Sequence, residues 1–183
     1  TAITTTTATG NGNLTVLGVP NPTAYGVVWG TALNPTTLDS VNDLGAAAAT
    51  GAFTAPITGL TAGTLYHVRA FATNTAGTVY GADVTFTTIL IPTVTTQAVT
   101  VIGGTTATGN GNLTVLGVPN PTAYGVVWSL VANPTIADSI SDLGAAAATG
   151  AFTAPITGLT PNTLYHVRAF ATNTATTVYG ADV

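Results

Sequence analysis

The chain has 183 residues, charged side chains at only 4% of positions, a formal net charge of −4, and no lysine, glutamate, cysteine or methionine. Two arginines cannot neutralise a phosphate backbone, and no apolar run reaches the ~20 residues that span a bilayer, so a nucleic-acid partner and a helical membrane span are excluded. Without cysteine there is no disulfide framework, and 41 threonines set among frequent Gly, Asn and Pro favour strands and turns.

The first predicted strand covers residues 13–17 (NLTVL) and closes at Gly18 and Pro20-Asn21-Pro22. The second covers 24–29 (AYGVVW). Tyr25, Val27 and Trp29 share one face and read as core, which leaves Val28 on the other. A loop follows, holding Asn34-Pro35-Thr36 and the aspartates Asp39 and Asp43. Residues 51–57 (GAFTAPI) form a third strand, and Pro56 argues that it lies at a sheet edge. A turn at 59–64 leads into the longest alternating run, 65–73, and a last strand at 78–87. Residues 46–49 are four alanines, too short to nucleate a helix. Strands every ~8–12 residues with turn signals between them predict an all-β sandwich or barrel.

The whole pattern then recurs. TATGNGNLTVLGVPNPTAYGVVW begins at Thr7 and at Thr106, and TLYHVRAF at Thr64 and at Thr163, a constant offset of 99. Between residues 1–84 and 100–183, 14 of 84 positions differ, mostly in turn-like places, while the strand-like segments are identical. This divides the chain into repeats 1–91 and 92–183. Near-identical tandem copies suit a part used in series, such as a fibre or stalk, and suit an enzyme poorly.

Leu60, followed six residues later by Tyr66 in Leu-Thr-Ala-Gly-Thr-Leu-Tyr-His-Val-Arg-Ala-Phe, resembles the sixth-strand region of fibronectin type III modules. Leu159 to Phe170 resembles it more closely still, with Pro161 in the turn. Tyr25-Gly-Val-Val-Trp29 and Asn34-Pro-Thr36 are similar to such repeats in large bacterial surface and secreted proteins. The resemblance implies two tandem immunoglobulin-like (fibronectin type III-like) β-sandwiches. It also implies a tyrosine corner, in which the Tyr66 and Tyr165 hydroxyls bond back to the backbone, and Pro92 to Thr100 as the first strand of the second repeat. In such modules the usual roles are spacer, stalk and adhesion.

The chain opens at Thr1 rather than at methionine, which reads as a processed or excerpted chain. The first repeat lacks most of its first strand and the second lacks the end of its last; residues 85–99 occur once. Such open sheet edges fit either a window of a longer array or strand addition between neighbouring copies, and both give an open, head-to-tail assembly. The Ile89-Leu90-Ile91-Pro92 linker is expected to restrict the hinge.

The chemistry-bearing residues are few. Every histidine and arginine sits in the two TLYHVRAF strands. Alternation places Tyr66, Val68, Ala70 and Ala72 inward and His67, Arg69 and Phe71 outward, with Asp83 on the next strand as an anion for Arg69. His67, Arg69, Phe71, His166, Arg168 and Phe170, with Val28 as part of an exposed apolar row, are therefore candidate subunit contacts; a structural ion pair is the plainer alternative. No nucleophile or paired carboxylate accompanies the histidines, so no catalytic residue is assigned. Asp39, Asp43, Asp138 and Asp142 could offer oxygens to calcium, but without EF-hand spacing they read first as turn caps. Asn13 and Asn112 begin Asn-Leu-Thr glycosylation triplets. No cofactor is implied. The expectation is a structural subunit of an extracellular or cell-surface fibre whose partners are copies of itself. The alternative is an adhesin module, with surface glycans or a protein as partner, in a larger secreted protein.

Overall fold

The computed structural model describes residues 2–183, all of them strand, turn or loop, with fourteen strands and no helix. The chain divides into two compact units, the first ending at Ile89 and the second spanning Leu90–Val183. The sequence reading places the boundary two residues later. Leu90 belongs to the second unit because its N–H donates to Val118 O at 2.9 Å and its carbonyl accepts the Val118 N–H at 2.8 Å.

Unit 1 is built from β1 (Ala8–Leu14), β2 (Ala24–Gly30), β3 (Ser40–Asp43), β4 (Gly51–Ile57), β5 (Leu65–Asn74), β6 (Gly77–Tyr80) and β7 (Val84–Thr87). β1 pairs with β4 in one sheet, and β3–β2–β5 form the other, with β6 and β7 following one another along the outer edge of β5. Unit 2 contains β8 (Thr93–Thr100), β9 (Thr106–Val115), β10 (Ala123–Ser129), β11 (Ser139–Asp142), β12 (Gly150–Thr157), β13 (His166–Thr172) and β14 (Thr177–Tyr179). Its sheets run β12–β9–β8 and β11–β10–β13–β14. All named pairs are antiparallel, and each unit is an immunoglobulin-like β-sandwich.

The core lies between the sheets. In unit 1 Ala8, Val27, Trp29, Ala55, Ile57, Leu60 and Tyr66 form it, and Ala107, Val126, Trp128, Ala154, Ile156 and Val167 do the same in unit 2. Tyr25 meets Phe53 edge to face at 5.1 Å, as Tyr124 meets Phe152. The tyrosine corner is present twice. Thr61 N–H donates to Tyr66 Oη at 3.0 Å, and Thr160 N–H to Tyr165 Oη at 3.1 Å.

Three elements differ from the sequence expectation, each for a local reason. β1 begins at Ala8 rather than Asn13, because an unbroken register with β4, from Ala8↔Ile57 to Leu14↔Gly51, overrides the turn-like composition Gly-Asn-Gly. β3 pairs with β2 through the segment that reads as an aspartate-rich loop. The last strand is split into β6 and β7 by residues 81–83, where Asp83 turns away to other partners. Pro56 does sit in an edge strand, since β4 pairs only with β1.

Candidate functional site

His67, Arg69 and Phe71 leave β5 on the face away from the core, as alternation predicts, but that face is not bare. Val28 is 0% exposed and Phe71 5%, and Phe170 in the second unit is 1% exposed. The exposed apolar contact row expected of Val28, Phe71 and Phe170 is therefore corrected: these side chains are interior. The cause is the loop at residues 31–38, which returns across the sheet. Asn34 N–H donates to Asp83 Oδ2 at 2.8 Å, and Thr37 N–H donates to Tyr80 Oη at 3.0 Å. Pro35, held between these ties, is fully buried. Unit 2 repeats the arrangement, with Asn133 on Asp182 at 2.8 Å and Ile136 on Tyr179 at 3.0 Å.

The ion pair also differs from expectation. Asp83 pairs with His67, whose Nδ1 lies 2.9 Å from Oδ2 and 3.1 Å from Oδ1, and not with Arg69. Arg69 Nε donates to Gly81 O at 2.9 Å, and its guanidinium stacks over Tyr80 at 4.7 Å. His166, Asp182, Arg168 and Tyr179 form the same set in unit 2. This is a strap: β5, through His67, and the loop, through Asn34, meet on one carboxylate of the segment between β6 and β7. Replacing Asp83 with alanine is expected to cost unit 1 about 1–3 kcal/mol, because the Asn34 N–H then loses its acceptor under the loop. Asp83→Asn, which keeps an acceptor oxygen, should recover most of that loss in denaturant unfolding.

The remaining candidates lie apart. Asp39 Oδ2 accepts the N–H and Oγ1–H of Thr36 at 2.8 and 3.2 Å, and Asp43 Oδ1 accepts the Gly45 N–H at 2.8 Å. Asp138 and Asp142 cap the matching turns at Thr135 and Gly144. Each carboxylate serves its own turn, and no group of three or more metal-binding side chains occurs among the described residues. Asn13 is exposed, whereas Asn112 is half-buried opposite Thr95.

Unit 1 also carries a groove that the sequence does not announce. A groove of about 410 Å³ opens between β1 and the β5–β6 sheet, floored by Leu14, Leu17, Phe53, Ala70, Ala72 and Val79. Its lining is apolar and amide- or hydroxyl-bearing, with no formal charge. Val79 is 69% exposed there, and Ala70 and Ala72 are half-exposed. Their equivalents in unit 2, Ala169 and Ala171, are each 0% exposed. Identical residues in identical strands thus differ in burial, and only their surroundings distinguish them.

No family model and no curated protein matches the chain. Among solved structures it is similar to an amphioxus IgVJ-C2 molecule, at 14% identity and a TM-score of 0.34, over 96% of this chain and 94% of that one.

Proposed function

We propose that this chain is a non-enzymatic structural subunit of an extracellular fibre, its copies arranged head to tail in an open series. The observation that supports this best is the repeat itself: two copies whose long strands are nearly identical, while most differences gather in loops and in the short β3 and β11. Selection for a reusable scaffold keeps strands and lets connections drift. The scarcity of charge points the same way, since an almost uncharged surface suits close lateral packing and suits a free monomer poorly. With Val28 and Phe71 inside the fold, the apolar surface available for such packing lies on loops and on strand residues such as Val79 and Val84. Val19 is 94% exposed and Leu38 95%, and Leu33, Leu130 and Val131 also stand out from the surface. The resemblance to fibronectin type III-like repeats of bacterial surface proteins supports the extracellular placement and the stalk-like role.

Negative-stain electron microscopy with light scattering on the purified chain tests the assignment. Ordered filaments that dissociate on dilution are expected. Isolated particles at all concentrations, together with saturable binding to a glycan array, would replace the fibre with an adhesin module.

A further inference from the structure

We propose that copies of this chain dock through their strapped loops: the loop of unit 1 (residues 31–38) in one copy packs against the loop of unit 2 (residues 130–137) in another. That the contact builds an open series rests on the fibre reading above; the two surfaces rest on the loops themselves.

The differences between the repeats are not scattered. Eight of the 14 fall in residues 30–42, between β2 and the end of β3. What is kept there is the frame. Asn34 and Asn133 sit at φ 58° and 61°, in the left-handed region that asparagine tolerates. Pro35 and Pro134 are buried, and Asp39 and Asp138 cap Thr36 and Thr135. What changes faces solvent, and it changes in pairs. Ala32-Leu33 becomes Val131-Ala132, and Thr37-Leu38 becomes Ile136-Ala137. In each pair the large apolar side chain moves one position along and stays exposed, from 46% for Ile136 to 95% for Leu38. A solvated loop gains nothing from an exposed leucine, so drift alone would admit polar residues at these places. Two exchanges that each keep one large apolar residue, on either side of the same Asn-Pro-Thr turn, mark a contact surface.

Two observations identify the occupant as another copy. The first is shape. Leu33 and Leu38 of unit 1 correspond to Ala132 and Ala137 of unit 2, and Val131 and Ile136 correspond to Ala32 and Thr37. Unlike loops therefore offer large against small, the condition for interdigitation, whereas like loops set leucine against leucine. The second is charge. Each loop lies between one cation and one anion. Thr37 N–H reaches the Tyr80 hydroxyl at 3.0 Å while Arg69 lies over the same ring at 4.7 Å, and the exposed Asp39 closes the far end. Ile136, Tyr179, Arg168 and Asp138 repeat this in unit 2. Arg69 uses its Nε–H on Gly81 O, and the Asp39 bonds fall on Oδ2. Among the described residues this leaves the outer guanidinium N–H groups and Asp39 Oδ1 for a partner. Antiparallel docking of unlike loops sets Arg69 against Asp138 and Asp39 against Arg168, with the apolar side chains between them. Each added copy leaves one loop of each kind free, so the contact propagates.

Analytical ultracentrifugation of the full chain tests this with two blocked variants. One carries Leu33→Asp and Leu38→Asp, the other Val131→Asp and Ile136→Asp. All four positions are exposed, so both variants should unfold at the wild-type midpoint. The wild type is expected to grow beyond the dimer as concentration rises. Each blocked variant should self-associate at least about 100-fold more weakly, since its new carboxylates would be desolvated against apolar surface. Mixed, the two should form a 1:1 dimer and nothing larger, because each retains the loop that the other lacks. Asp39→Asn, which keeps an oxygen for Thr36, should weaken wild-type growth about threefold by removing one charge pair. Should a blocked variant not fold, Leu33→Ala with Leu38→Ala takes its place, with an expected loss of about tenfold. Growth of both blocked variants equal to the wild type overturns these loops as the contact and leaves the fibre reading standing. A dimer formed by one blocked variant alone overturns the pairing of unlike loops. Wild-type assembly that stops at a dimer, and that both blocked variants abolish, keeps the contact and sinks the open fibre. A wild type that stays monomeric at every concentration overturns both.

Discussion

Phe71→Ala is expected to destabilise unit 1 by about 3–5 kcal/mol, and Phe170→Ala to do the same to unit 2. Both rings are at or below 5% exposed although they sit on the sheet face away from the sandwich core. Truncation there leaves a cavity under the strapped loop as well as removing apolar contact, which is why the cost is that of a core position. Arg69→Ala, two residues along the same face, provides the contrast. It removes one hydrogen bond to Gly81 O and the stacking on Tyr80, together worth about 1–2 kcal/mol. Denaturant midpoints of the two variants, compared at equal m-value, measure the difference. A loss below about 1 kcal/mol for Phe71→Ala would mean that the loop does not seal this face, and Val28 and Phe71 would return to the list of surface contacts.

How far the sequence could be read depends on what kind of bond makes each feature. β5 was legible because residues 65–73 alternate cleanly, and the tyrosine corner because Leu60 and Tyr66 stand at a telling spacing. The closed outer face was not. It depends on the backbone N–H groups of Asn34 and Thr37, and a backbone donor leaves no mark in composition. One signal was present: Val27-Val28-Trp29 is an unbroken apolar run, as expected of a strand covered on both sides, and β2 is buried from Gly26 to Trp29. The partner of Asp83 was missed because Gly81-Ala82-Asp83 reads as a continuing strand. Only the break between β6 and β7 turns the carboxylate toward His67 rather than Arg69. The groove was not legible. The space at Gly81 and the unequal burial of Ala70 and Ala169 emerge only in three dimensions.

Gly81 and its equivalent Gly180 give the second large effect, a substitution whose outcome should differ between two sites of identical local sequence. Gly180→Ala is expected to destabilise unit 2 by about 3 kcal/mol, at the upper end of ordinary overpacking, because the added methyl overlaps backbone that cannot rotate away. β8 must shift along β13, and with it go the seat of Val94 and the Thr96 bond to Ala169. Gly81→Ala makes the identical chemical change in unit 1, where the new methyl finds only van der Waals contact with Ala70, and should alter stability by less than about 0.5 kcal/mol. The two variants have the same composition, so effects on the unfolded chain cancel between them and the difference reports the folded surroundings. Hydrogen exchange resolves it by unit: amides of β8 and β9 should lose protection in the Gly180→Ala chain, and β1 and β4 should keep theirs in the Gly81→Ala chain. Equal destabilisation of the two variants would mean that Gly81 is as closely packed as Gly180.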